Sequence, residues 1–427
     1  MTLAKPAPAA SLLSGTSVYL ASNAFAALLA FGLLPLLARY LEPEAFGEAA
    51  LFTTLVAGFG AVVGLNGVAA AARRAYDGAT DADLAEYNAA ALQILVVSGL
   101  VVLAVVLVAG EPLGRLLGLQ PRWLAWAVVV AGLAALMQMR QAIWQVRRRP
   151  LPYAVLQAGE ALGVTLLTAL LVVVVPLGAT GRIAAVIMTS FVVATVSVGL
   201  LQRSGLLRLR TWRPDLVRDV LSFGVPLVPH LAASFVLVAA DRLVVTAQLG
   251  LEQAGIYMLA ANLAQAAVLL FDAINKAYVP WLFERLKSGD AGEQVRIVRY
   301  TYAWYAVLLA GAGLAFLVGP WLVRMVGGER YAAAGSVVGW LMLGQVFAGM
   351  YLMVTNYVFY ARRTGLLSAV TVTGSVLHLV LLVLLAPRLG IEGAALAFAI
   401  AMGVRFLLTW WAAQRSHPMP WFGVKPG

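Results

Sequence analysis

The chain has 427 residues, of which 62% are hydrophobic and 11% charged, and its mean hydropathy is +0.89. A soluble domain carries about a quarter charged residues, so water is excluded as the main solvent; the absence of cysteine excludes disulfide and thiolate chemistry. The net charge of +11 would suggest nucleic acid on a soluble domain, but in a membrane chain its distribution between loops decides its meaning.

Residues 1–10, MTLAKPAPAA, form a short tail rich in small residues and proline. Apolar runs of about 20 residues follow, each long enough to cross the hydrocarbon core as a helix. They do not alternate apolar with polar residues as strands of a β-barrel would. In the first half the predicted spans are 12–38, 46–70, 85–109, 123–144, 153–175 and 182–201. The first is too long for a signal-peptide core. Within the second, the glycine-rich 58–67 lacks the Lys-Ser/Thr of a phosphate loop and reads as close helix packing.

Residues 202–219 hold five arginines and read as a linker or a surface-lying amphipathic segment. Six more spans follow at 221–249, 254–281, 300–318, 332–360, 366–386 and 391–412. The expected architecture is all-α and integral to the membrane, with twelve helices in two bundles. Residues 1–205 are the N-terminal six-helix bundle, 206–219 a cytoplasmic basic linker, and 220–427 the C-terminal six-helix bundle and tail.

Charge supports the count. With the amino terminus inside, loops on that side carry 20 of the 30 Lys and Arg, the opposite loops 7, and three (Arg242, Lys276, Arg405) fall in or at the ends of spans. Positive residues accumulate in the cytoplasm, which puts both termini there. A nucleic-acid surface would concentrate them on one folded domain instead.

Two internal echoes suggest duplication. Residues 38–52 resemble 246–260 at a shift of 208, matching Leu41 with Leu249, Glu44 with Glu252 and Gly47 with Gly255; LGATG at 177–181 resembles LGIEG at 389–393. Six-helix units of even span number share one orientation and enclose a central cavity. Chance matching in Ala-, Leu- and Gly-rich helices is the competing explanation.

The segment 222–285 carries the specific motifs: F-G-x-P-L-x-P at 223–229, D-R-L-x-V at 241–245, L-G-x-E-x-x-G-I-Y at 249–257 and A-x-x-x-A-x-x-P at 273–280, with L-x-x-x-x-F-G-x-x-A-L-F at 41–52 earlier. In these the chain resembles the polysaccharide biosynthesis and O-antigen flippase family of the multidrug/oligosaccharidyl-lipid/polysaccharide (MOP) exporter superfamily. The resemblance implies a MOP/MATE-like fold with alternating access in the bacterial inner membrane. It also implies a polyprenyl-diphosphate-linked glycan as substrate, membrane lipids as surroundings, and a polymerase or glycosyltransferase of the same pathway as partner. No cofactor, metal or nucleic acid is expected, and no bond-making chemistry is needed. Two alternatives stand beside it: a multidrug/cation antiporter of the same superfamily, and a transport-inactive scaffold of an envelope assembly complex.

Guanidinium and ammonium groups suit a diphosphate, so Arg242 and Lys276, then Arg405 and Arg39, are the candidates. Each has a structural alternative. Arg242 can pair with Asp241 or snorkel to the interface, and Lys276 can pair with Asp272 one turn away. Asp241, Asp272 and the lone Glu160 are candidates for ion coupling or cavity lining. Pro226, Pro229 and His230 mark a kink, because proline removes a backbone donor. Asn23, Asn66, Asn262, Asn275 and Asn356 either line a sugar path or join helices, and Tyr257, Trp281, Trp340 and Tyr357 are either interface aromatics or stacking surfaces. The histidines at 230, 378 and 417 form no metal cluster.

Overall fold

The computed structural model describes residues 9–209, 212–288, 290–361 and 363–421. All regular structure among them is helical, the form in which an apolar segment satisfies its own backbone in lipid. The helices are α1 (Ala9–Tyr40), α2 (Pro43–Gly60), α3 (Gly67–Tyr76), α4 (Asp81–Leu117), α5 (Pro121–Val146), α6 (Pro150–Thr168), α7 (Gly178–Arg203), α8 (Pro214–Gly224), α9 (Val228–Ser288), α10 (Ala291–Gly327), α11 (Ala334–Tyr360) and α12 (Thr364–Ser416). Among the described residues, nine helices are long and apolar enough to cross a membrane. The protein is therefore a multi-pass, all-α membrane protein.

Two of those helices each join two helical segments across a break. In α9, Gly250 has φ 84°, and in α12, Gly390 has φ 63°. Glycine reaches this left-handed region without a Cβ penalty. The break in α9 falls between the spans expected at 221–249 and 254–281.

The run 46–70 departs from expectation. The sequence reads it as one span, but α2 stops at Gly60 and α3 restarts at Gly67. Between them Gly64, Leu65 and Asn66 all have positive φ. Glycine and asparagine tolerate that conformation and so let the chain turn. The Asn66 amide donates to the Gly224 carbonyl at 3.1 Å, fastening the break to the end of α8.

Residues 206–209 and 212–219 are also anchored rather than free. Asn88 donates to the Leu206 carbonyl at 2.8 Å, Arg208 N to the Ala85 carbonyl at 3.2 Å, and Tyr87 to Asp219 at 2.8 Å. Val220 is fully buried against Ala70, Ala71, Tyr87 and Ile94. The stretch turns helical at Pro214, whose fixed φ suits a first helical position.

By its contacts the chain divides into two compact units, residues 1–41 with 48–239 and residues 42–47 with 240–427. In the first, α1 packs on α6, and α5 on α4 and α7. In the second, α11 packs on α10 and α12, around a core that includes Tyr305, Met350, Tyr357, Phe406 and Trp421.

Candidate functional site

In the second unit the polar groups of α9 separate by partner. Asp241 is an acceptor: one carboxylate oxygen takes the Tyr257 hydroxyl at 3.0 Å and the other takes the Arg242 backbone N–H at 3.0 Å. Tyr257 is fully buried, so its hydroxyl needs such a partner. The Arg242 side chain makes no ion pair with Asp241. Its guanidinium has no hydrogen-bond or ion-pair partner among the described residues, although its backbone carbonyl accepts from Thr246.

Asp272 and Lys276 are joined in an ion pair of 2.6 Å, one helical turn apart, and both side chains are at least half exposed. Nearby, Asn356 donates to Asn275 at 2.9 Å, tying α11 to α9. Arg405 is held differently. Its guanidinium lies 4.1 Å over the Tyr351 ring, and its aliphatic stem runs past Gly374, where a Cβ would come within 3.0 Å of it. Its Nε is buried with no hydrogen-bond partner. No hydrogen bond, ion pair or ring contact joins Arg242, Lys276 and Arg405 to one another among the described residues.

In the first unit, Arg39 sits exposed in the last turn of α1. Glu160 is half-buried on α6 and has no partner among the described residues. Close to it in sequence, Gln141 donates to Gln157 at 2.7 Å, joining α5 to α6. A cavity of about 220 Å³ lies beside the break between α2 and α3, with Asn66 and Gln138 as its polar lining. After Gly224 the chain makes a single 3₁₀ turn, Val225–Leu227, before α9. Pro226 lies within this turn and Pro229 in the first turn of α9. The His230 side chain lies outside the described residues.

Two arginines counted as loop charges are instead packed. Arg140 is buried in α5, 4.3 Å over Trp144; the four-residue Arg–Trp spacing on one helix was the available signal. Arg182, in the first turn of α7, donates to the buried Thr168 at 2.7 Å. No group of three or more His, Cys, Asp or Glu placed to hold a metal ion occurs among the described residues.

The comparisons agree with this architecture. The family described as polysaccharide biosynthesis protein matches residues 12–285. An uncharacterized membrane protein of Haemophilus influenzae is 26% identical over 381 residues, covering 86% of this chain and 89% of that one. The Lsg locus putative protein 1 of the same organism is 23% identical over 381 residues, covering 86% and 90%. Among solved structures, lipid II flippase MurJ in an inward closed conformation aligns with TM-score 0.71 at 13% identity, over 93% of this chain and 87% of that chain. An inward-facing multidrug resistance MATE family transporter of the MOP superfamily aligns with TM-score 0.62 at 13% identity, over 90% and 93%. At such identities the structural likeness shows the fold.

Proposed function

This chain belongs to the polysaccharide biosynthesis protein family, and from that membership we propose that it flips a polyprenyl-diphosphate-linked oligosaccharide across the bacterial inner membrane for surface polysaccharide assembly. The observation that carries the reading is the family match, which spans the whole motif-bearing segment through Arg285. The similar fold of the lipid II flippase MurJ supports the reading.

The chemistry is compatible. The diphosphate and glycan need polar contacts while the polyprenyl tail stays in hydrocarbon, so cations must be available inside the protein. Arg242 meets that need best, because its guanidinium has no carboxylate partner among the described residues. Arg405 follows, with its stem packed and its charge over Tyr351. Arg39 is a third contact, and Lys276 becomes available when its pair with Asp272 opens. Two bent helices and the short apolar α2, added to the remaining long helices, accommodate twelve spans with both termini cytoplasmic. Pro226 and Pro229 act as the bend between α8 and α9.

Deletion of the gene is expected to leave lipid-linked precursor on the cytoplasmic face while its synthesis continues. Normal surface glycan in the deletion strain, with no second transporter present, overturns the reading. Replacing Arg242 and Arg405 with Gln separates flippase from scaffold: a flippase loses export, while a scaffold keeps it. A second reading, cation antiport, draws on Glu160, a carboxylate without a partner among the described residues. It requires Glu160→Gln to abolish efflux of a cationic dye from loaded cells.

A further inference from the structure

The second unit carries a cavity of about 210 Å³ whose walls are aromatic. Tyr278 and Trp281 come from α9, Tyr300 and Trp304 from α10, and Met353 from α11. The Tyr278 and Trp281 rings stack at 5.5 Å, and Trp281 lies 6.3 Å from Tyr300. Tyr300 is 55% exposed, so the cavity opens on the surface of the unit.

An arginine stands one helical turn beyond the wall on each helix. Arg285 follows Trp281 by four residues and Arg296 precedes Tyr300 by four, spacings that keep each pair on one helix face. The Arg285 guanidinium lies 4.3 Å over the Trp281 ring. Both arginines converge on one carboxylate: Arg285 is 3.4 Å and Arg296 2.9 Å from Glu293. Over residues 284–299 four cations (Arg285, Lys287, Arg296, Arg299) stand against three carboxylates (Glu284, Asp290, Glu293), so the stretch beside the apolar slot stays net positive.

A soluble anion would use the arginines and leave the aromatic slot empty; a neutral lipid would use the slot and leave the charge uncompensated. An amphiphile with an anionic head and an acyl chain uses both. We infer that Arg285, Arg296 and the cavity walled by Trp281 and Tyr300 bind an anionic glycerophospholipid of the bilayer, with Glu293 as an internal competitor for its phosphate. The site shares no residue with the cationic transport candidates Arg242, Lys276, Arg405 and Arg39, and takes Trp281 as an interface aromatic rather than a sugar-stacking surface.

The test uses the full chain in detergent, titrated with brominated phosphatidylglycerol or brominated phosphatidylcholine, and reads the part of the tryptophan quenching that Trp281→Phe removes. The expected result is half-quenching by phosphatidylglycerol at about tenfold lower concentration, the equivalent of one charge-assisted contact. Arg285→Gln with Arg296→Gln should equalise the two lipids. Glu293→Gln should strengthen the preference for phosphatidylglycerol, a gain that misfolding does not produce. Equal quenching by both lipids in the unaltered protein, or a preference that Glu293→Gln leaves unchanged, overturns the inference. So does displacement of the brominated lipid by a polyprenyl diphosphate at lower concentration than by phosphatidylglycerol, which would assign the site to the transported class.

Discussion

Asp241 and Arg242 sit side by side in the chain and serve different ends. The aspartate accepts from a buried tyrosine 16 residues away, and that removes it from the role of counter-ion. Asp241→Ala would strand the Tyr257 hydroxyl in an apolar surrounding, a loss of about 1–3 kcal/mol. Asp241→Asn keeps an acceptor oxygen and should retain most of that stability in thermal unfolding of the purified protein. Arg242→Gln should do the opposite, leaving stability nearly unchanged while slowing export roughly ten- to a hundredfold, the range of a charge-assisted contact to phosphate. If Arg242→Gln unfolds the protein and leaves the export of the folded fraction normal, the arginine is structural. Sequence alone named both residues because a charge in an apolar helix stands out. It left their partners open, because a same-helix neighbour at i+1 and a tyrosine beyond a turn are equally compatible with the letters. Lys276 was more legible: its carboxylate lies four residues away on the same helix, and the pair forms.

His417 carries a pH dependence of its own. It lies just past α12, its ring parallel to Tyr357 at 6.3 Å and edge-on to Tyr360 at 5.4 Å, and its Nε2 is buried with no hydrogen-bond partner. Burial holds its pKa below the ordinary histidine value. A depressed value means that the unfolded chain binds the proton more readily. The stability from docking the neutral ring is present above about pH 6.5 and is lost as pH falls below that toward the folded-state value. Melting temperature should drop across that interval, and His417→Phe should flatten the drop; an unchanged slope in that variant contradicts the assignment.

At the scale of elements, the matched glycines of the internal echo meet. Within the second unit, a Cβ on Gly47 of α2 would run into the Leu251 carbonyl, and one on Gly255 of α9 into the Pro43 carbonyl. Pro43 and Leu251 are themselves 208 residues apart, so the contact is reciprocal between corresponding positions of the two sequence halves. Other features recur at similar offsets. Helices α4 and α10 have 37 residues each, and Gly178 and Gly390, in the LG-x-x-G echoes, have φ of 59° and 63°. Gly255→Ala should therefore force the backbones of α2 and α9 apart and cost about 1–3 kcal/mol, as overpacking does. Gly199→Ala, at a glycine with open space around it, is the control. Equal melting temperatures for the two variants would refute the close crossing. The matched glycines were legible because they recur in the echoed motifs; the lengths of α4 and α10 were not, since the apolar runs at 85–109 and 300–318 stop short of the polar turns that extend each helix. The break between Gly60 and Gly67 was not legible either. Its residues are as apolar as the helices around it, and what fixes it is the Asn66 contact to Gly224, 158 residues away.

For the whole molecule, charge is what argues for an orientation of the helices. The Lys and Arg bias of 20 against 7 between alternate loops of the sequence, 19 against 6 once the packed Arg140 and Arg182 are set aside, favours a topology in which every second connection is cytoplasmic. Because the chain has no cysteine, single cysteines can be introduced without first clearing a background. Four exposed positions test the alternation in both halves. Ser204→Cys and Lys287→Cys lie in arginine-rich connections assigned to the cytoplasm, while Gln120→Cys and Glu329→Cys lie in connections assigned to the opposite face. A membrane-impermeant maleimide added to intact spheroplasts should label the second pair, and should reach the first pair only after the membrane is opened. Labelling of all four would require an even number of crossings between Gln120 and Ser204, where the expected spans number three, and between Lys287 and Glu329, where one is expected; labelling of Ser204→Cys but not Gln120→Cys would require an inverted first half. The pairs also separate local error from global inversion. If only one half is reversed, the fault lies in the connection around 206–219, where α8 starts at Pro214.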